Sequence, residues 1–448
     1  MSFRLISVVS VLGLICCASP VFADVTYSAN PENYLSLLEK LRSGDHLQLM
    51  PGEYAEGLPL RNLNGSAHEP IVIAGPESIP RAVFVARPRA NTVSIVNSSY
   101  ITIRNLELDG RNMAGIDAVK AEGHGQWAHH ITLENLLIRN HGGSQNTVGI
   151  STKCTAWDWV IRGNIILGAG TGLYLGNSDG TAPFIGGLIE NNLVADTLGY
   201  NMEIKQQNAR KHVQGMPQGK QQTIIRNNVF SKAAHASTGT DARPNVLVGH
   251  FPLQGGGAQD RYYIYGNFFY GNPTEALFQG EGNFALYNNL FINPLGDAVN
   301  IRPHNDRPRW VHVFFNTIVA SGSGLKLRGL TSKDEYEVSA NAIFAARNVI
   351  GWLKGDPLTA SYAKAADYLA NPFDFPGRID LYPLYDKLME SLDTRRYQSF
   401  PDWDRDFNGV RRIQNYRGAY AGSGHNPGWL PSLERKPQPV TSAPLRNE

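Results

Sequence analysis

Nine short segments of this chain share one pattern, and that repeat restricts the fold more than any other feature. Each is a run of alternating apolar residues, then an asparagine, then in most copies another apolar residue. They read ITIRNL (101–106), ITLENL (131–136), VIRGNI (160–165), LIENNL (188–193), IIRNNV (224–229), YIYGNF (263–268), ALYNNL (285–290), VFFNT (313–317) and a weaker VSANA (338–342). The asparagines are Asn105, Asn135, Asn164, Asn192, Asn228, Asn267, Asn289, Asn316 and Asn341, spaced 22 to 39 residues apart. That period, carried by strand-like segments, fits one turn of a parallel β-solenoid with loops of variable length. Asparagine tolerates a left-handed backbone at a sharp bend. Stacked turn upon turn, its amides can also hydrogen-bond along the axis. A structural duty is therefore expected for all nine. The two longest intervals follow Asn192 and Asn228, so the longest loops are expected there, and loops on a rigid scaffold are where function concentrates.

A second strand follows most copies: Leu173–Leu175, Met202–Lys205, Val246–Val248, Ala276–Gln279, Val299–Arg302 and Leu325–Arg328. In a strand, residues two apart share a face. With Met202 and Ile204 in the core, Glu203 and Lys205 stand side by side outside it. The outward row is then Tyr174, Glu203 and Lys205, Leu247, Leu277 and Gln279, Asn300 and Arg302, Lys326 and Arg328. Glu281 would sit between the charged parts, and His304 extends the Arg302 side. The strip is aromatic, then acid–base, then basic. The chain as a whole carries 41 Lys+Arg against 39 Asp+Glu, so it lacks the basic excess of a nucleic-acid binder; its cationic character is local.

The ends of the chain read differently. Residues 1–23 have a positive start at Arg4, an apolar run and a small residue at Ala23, as a secretory signal does. The expected location of the mature protein is secreted or periplasmic, as a monomer. Cleavage there removes Cys16 and Cys17 and leaves Cys154 alone, so no internal disulfide is expected. No later stretch is long and apolar enough to span a membrane. Residues 24–345 form the expected solenoid. Tyr34–Arg42, with Leu35, Leu38 and Leu41 on one side, is expected as a helix capping its open end. Residues 346–448 are rich in Pro, Asp, Arg and Tyr and are expected as an irregular region packed on the solenoid, with a helical stretch near Tyr362–Leu369. Asp402–Gly409 alternates acids, but its glycine is misplaced for an EF-hand, and a packed loop is expected. Ser432–Glu448 is expected to be disordered.

The segment from Gly44-Asp45 through Leu47-Gln48-Leu49 and Pro51-Gly52-Glu53-Tyr54 to Pro70–Gly75 resembles the start of the chondroitinase B and alginate lyase-like branch of the pectin lyase-like superfamily. The asparagine-marked turns agree with it. The resemblance covers about residues 25–345 and implies an all-β, right-handed parallel β-helix. It also implies a polysaccharide lyase. Those lyases carry a Glu-Ile-Ile-Ser-x-Lys-Ser segment before an Ile-Arg-x-Asn-x-Phe strand. Here Met202-Glu203-Ile204-Lys205 precedes Ile225–Phe230. Glu203 thereby matches a calcium-binding acid, which implies Ca2+, and Lys205 is the nearest match to the catalytic lysine. Lys205 comes three positions early, and Asn208 holds the lysine's place. The arginine of the next turn is replaced in Leu247-Val248-Gly249-His250, with Arg243 just before it. Arg302-Pro303-His304-Asn305-Asp306 is similar in part to the Asp-Pro-His-Asp of mannuronan epimerases on the same fold.

The chemistry the resemblance implies is removal of the C5 proton of a uronate. Charge builds on the neighbouring carboxylate and must be neutralised, and a base near neutral pKa must take the proton. Lys205, Arg302, His304 and His250 are the candidates for catalysis. Tyr174, Arg243, Gln279, Lys326 and Arg328 are the candidates for holding an acidic polysaccharide. A C5-epimerase, a hydrolase using Glu203 with Glu281 and a non-catalytic glycan binder remain alternatives, and an isolated Glu203–Lys205 pair would be an ordinary surface ion pair.

Overall fold

The computed structural model describes residues 24–123 and 125–438, and the expected signal at residues 1–23 lies outside them. Three parallel ladders run the length of the molecule. The first begins at Thr26–Ala29 and ends at Glu335–Ser339; the second begins at Gly52–Tyr54 and ends at Leu358–Ala360; the third begins at Leu58–Arg61 and, through the end of the long strand Thr317–Leu327, finishes in the second half of Ala342–Ile350. The chain visits them in rotation, so each circuit adds one strand to each ladder. This is a right-handed parallel β-helix, and it follows from the alternation. Residues such as Ile161, Phe230 and Ile204, one from each ladder, are fully buried in a single core. Their neighbours point outward.

The turn between the first and second ladders refines the asparagine reading. Two adjacent positions there have different duties. The first takes a left-handed backbone and is filled by Asn105, Asn135, Gly163, Asn191, Asn227, Gly266, Asn288, Phe315 and Ala340, with φ from 53° to 66°. The second points its side chain inward. From Asn164 to Asn316 each amide Nδ2 donates to the Oδ1 of the next turn at 2.9–3.0 Å, and Asn341 ends the ladder as an acceptor. Because Glu134 pairs with Arg162, Asn135 lies opposite Gly163, and Leu136 holds the ladder position. The register expected for Asn105 and Asn135 is thus one residue out: they bend the chain and bond to each other outside the ladder.

The ends also depart from expectation. The helix is a single turn, Tyr34–Leu38, and buries Tyr34, Leu38 and then Leu41, while Leu35 faces solvent. Tyr34 packs edge-on against Tyr54 and Phe84. The outermost strand of the first sheet is Thr26–Ala29, so the helix is not clearly a cap. Tyr362–Asp367 is 3-10 helical. Asp402 accepts from the Tyr265 hydroxyl at 2.8 Å and from Arg226 at 3.1 Å, so the acid-alternating loop is tied to the first face. Residues 432–438, expected to lack structure, lie along the turn edge. Arg435 donates to Gly163 O at 2.6 Å and Lys436 to Gly266 O at 2.8 Å. Cys154 is buried and free.

Residues beyond 346 decide which surfaces remain open. Ile379, Leu381, Phe407 and Tyr420 pack on outward Val229, Phe268 and Leu290 of the second ladder. Leu392, Tyr397 and Phe400 pack on Tyr263, Tyr287 and Phe314 of the first. Over the later turns the two faces are covered, and the third is left to solvent.

Candidate functional site

The third ladder sets its outward side chains in register. Lys120, Ser151, Tyr174, Glu203, Leu247, Gln279, Asn300 and Lys326 pair strand by strand in that order, about 4.8 Å apart. Leu277, expected in the row, is instead fully buried in the core, because the strand starts one residue later at Phe278. A second row stands one residue beyond the strands and contains Lys153, Lys205, Glu281 and Arg302.

Over the middle of these rows lies a cleft of about 810 Å3. Tyr174, Glu203, Lys205, Gln279, Arg243, Arg302 and His304 line it, as do Asp117, Lys120, Lys153, Tyr200 and Glu275, which the sequence reading missed. Of the two long loops, only 232–245 walls the cleft. It is held by Gln145, which donates to Asp241 O at 2.7 Å, and by buried Lys232, which donates to Arg243 O at 2.7 Å. The loop following Lys205 turns away. There Arg210 pairs with Asp260 in the interior, and Met216 packs on Trp157.

The remaining candidates stand outside the lining. His250 turns its Nδ1 to Phe251 O at 3.1 Å. Lys326 is paired with Asp297. Arg328 is exposed at the far end of the strip. Glu281, 1% exposed, accepts the backbone N–H groups of His304, Asn305 and Asp306 at 2.7, 2.7 and 3.0 Å and that of His250 at 3.3 Å. It shapes the turn that presents Arg302 and His304. Its lone pairs are occupied, so it is not the second carboxylate of a hydrolytic pair.

The charges at the floor interlock. Lys205 Nζ donates to Glu203 Oε1 at 2.7 Å, and Glu203 is 2% exposed. Burial acts against the Lys205 ammonium, but the Glu203 charge and hydrogen bond, with Tyr174, outweigh it and raise its pKa. Lys205 is therefore a fixed cation near neutral pH. Lys153 is the opposite case: burial pushes its amine down to about 8, although Asp117 and Glu203 pull the other way. Lys153 follows the strand Val148–Thr152, and a lysine just past an alternating strand was the available sequence signal.

The calcium ion expected at Glu203 does not fit these residues. Ca2+ takes six to eight oxygen ligands. This carboxylate is bonded to the Lys205 ammonium, and no cluster of three His, Cys, Asp or Glu side chains suited to a metal occurs among the described residues.

No known protein family and no curated protein matches the chain. It is similar to solved structures of an alginate lyase from Paenibacillus sp. str. FPU-7 (16% identity over 73% of this chain and 99% of that one, TM-score 0.47). Others are a mannuronic acid specific polysaccharide family 6 lyase from human gut microbiota (14%, 76% and 83%, TM-score 0.44) and the mannuronan C-5 epimerase A-module of Azotobacter vinelandii (14%, 74% and 92%, TM-score 0.42). Fold does not fix function, so function has to be argued from the cleft's own residues.

Proposed function

We propose that the third-face cleft binds an acidic, uronate-containing polysaccharide and cleaves it by β-elimination, outside the cytoplasm and as a monomer. One observation carries the reading: a fixed cation, Lys205, and the cations Arg302 and Arg243 line one cleft together with an aromatic side chain and an amine of lowered pKa. An acidic chain supplies the complementary charge. Lys205 meets the reacting carboxylate and holds the charge that develops when C5 loses its proton, and Arg302, three strands further along the row, meets the carboxylate of another sugar of the chain. His304 and Gln279 border the same space and fix neighbouring hydroxyls. Among the described residues no helix is long and apolar enough to cross a membrane, and export follows from the amino-terminal signal read in the sequence.

The test is incubation with a panel of uronate polymers. Absorbance of unsaturated ends is the expected result. Reducing ends without absorbance would indicate hydrolysis, altered C5 configuration without cleavage an epimerase, and binding without turnover a glycan-binding protein.

A further inference from the structure

Lys153 and Tyr174 stand on adjacent circuits, since Ser151 pairs with Tyr174. Lys153 Nζ lies 3.3 Å from the Tyr174 ring centroid, and Lys205 Nζ lies 5.4 Å from it. The two amines that flank the ring are not equivalent. Lys205 is held by Glu203 at 2.7 Å. Lys153 is in no ion pair among the described residues, its amine stands over the ring, and it lines the cleft.

Resting on the elimination reading above, we propose that Lys153 is the base that takes the C5 proton and that the Tyr174 hydroxyl donates to the departing oxygen. In this step the neutral Lys153 amine forms the N–H bond. The C5–H electron pair becomes the C4=C5 double bond, and the C4–O4 bond breaks. O4 leaves with the Tyr174 proton. The phenolate then lies between two ammoniums and recovers its proton from Lys153, so no other reactant is consumed. Electrostatics support the assignment. Burial lowers the Lys153 pKa to about 8, helped by Lys120 and Lys205 and opposed by Asp117 and Glu203, so a useful fraction is neutral near physiological pH. Tyr174 also touches Lys205, whose pKa it helps to raise, which places a cation where the phenolate charge would form.

The experiment uses a polymer that the wild-type protein converts to unsaturated ends. Lys153→Ala and Lys153→Met are compared with wild type in melting temperature and in kcat/KM across pH. The expected result is a loss of about 10²–10⁴-fold in kcat/KM. In wild type, kcat/KM rises with pH toward a plateau above about 8, the Lys153 ionisation; the variants lack this limb. Added ethylamine restores part of the Lys153→Ala rate, which a purely structural role does not allow. Tyr174→Phe keeps the ring beside the two amines and lowers kcat. Wild-type kcat/KM with an unchanged limb in either Lys153 variant would overturn the assignment and leave elimination standing. Failure of every uronate polymer to yield unsaturated ends with wild type would overturn both.

Discussion

Adjacent asparagines of one turn can have separable energetic roles, and Asn191 and Asn192 are the clearest case. Asn192 Oδ1 accepts from Asn164 N and Nδ2, while its own Nδ2 donates to Ile161 O and to Asn228 Oδ1. Asn192→Ala strands several of these buried groups, and each costs about 1–3 kcal/mol when unmet. A loss of about 2–4 kcal/mol is expected in denaturant unfolding. Asn191 has φ 54°, and its Oδ1 is buried without a partner. Glycine takes that backbone freely, so Asn191→Gly should stay within about 0.5 kcal/mol. The sequence showed the asparagines but not this division. Copies that read Asn-Asn fill both positions, whereas Arg-Asn-Leu and Arg-Gly-Asn are compatible with either register. Lys205 carries the second prediction. On sequence alone Lys205→Ala should abolish turnover and spare stability. In the structure it also removes the partner of a carboxylate that is 2% exposed, and an uncompensated buried charge is costly. Lys205→Ala should lower the melting temperature at pH 7, and adding Glu203→Gln should recover most of the loss. Because the folded pKa of Lys205 is raised, its stabilisation is whole below the unfolded lysine value, about 10.4. It fades as pH climbs through the folded one. On the alkaline side the gap between wild type and Lys205→Ala should therefore stay open until strong alkali.

The loop 232–245 is the element that turns a flat sheet face into a cleft, and its hold on Arg243 passes through Lys232. That lysine is fully buried. Burial, with nearby Arg243, brings its amine down to about 7 against the pull of Glu275. Between that value and the unfolded value of about 10.4 the unfolded chain binds more protons than the folded one. Stability therefore rises with pH across this window. Lys232→Met should be more stable than wild type at pH 7 and show a flatter stability profile from pH 7 to 10; equal slopes in the two proteins would refute the role. The Arg243 carbonyl keeps a donor in the variant, Asn272 Nδ2 at 2.9 Å, so the loop should stay in place. Interval lengths in the sequence located this loop, because an insertion lengthens one period and leaves the next intact. They could not show which side of the strand each insertion falls on. The insertion after Lys205 follows its strand and folds away, whereas 232–245 precedes Val246–Val248 and overhangs the row. Strand parity did place Glu203 and Lys205 correctly outside, with Met202 and Ile204 in the core. Lys153 was missed because the row was begun one circuit too late.

At the scale of the whole molecule, the open face is defined by what covers the other two. In early circuits the outer side of the second ladder is polar, with Arg139 bonded to Glu107 at 2.6 Å and to Asp109 at 3.0 Å. In later circuits it is apolar: Val229, Phe268, Leu290 and Ile292 point out while Phe230, Phe269 and Phe291 point in. Those strands read Phe268-Phe269 and Leu290-Phe291-Ile292, apolar at both parities, which is the mark of a strand buried on both sides. That mark was in the sequence. What covered it was not, because the residues after the last ladder strand Leu358–Ala360 carry no period. The chain beyond 346 is therefore a second wall of the core rather than an appendage. A protein ending at residue 345 would expose a contiguous apolar strip on the second ladder and the Tyr263–Tyr287–Phe314 patch on the first. Strips of that kind drive association. The truncated chain should form its parallel sheets, because the asparagine ladder through Asn341 lies inside it. It should nevertheless elute from size exclusion as aggregates that bind a hydrophobic dye. Replacing Phe268 and Leu290 by Thr in the truncated chain should reduce both signals, since it breaks the strip without touching the inward row. A truncated chain that stays monomeric and dye-negative would show that the strip has another cover and that the carboxy-terminal region is dispensable for the open third face.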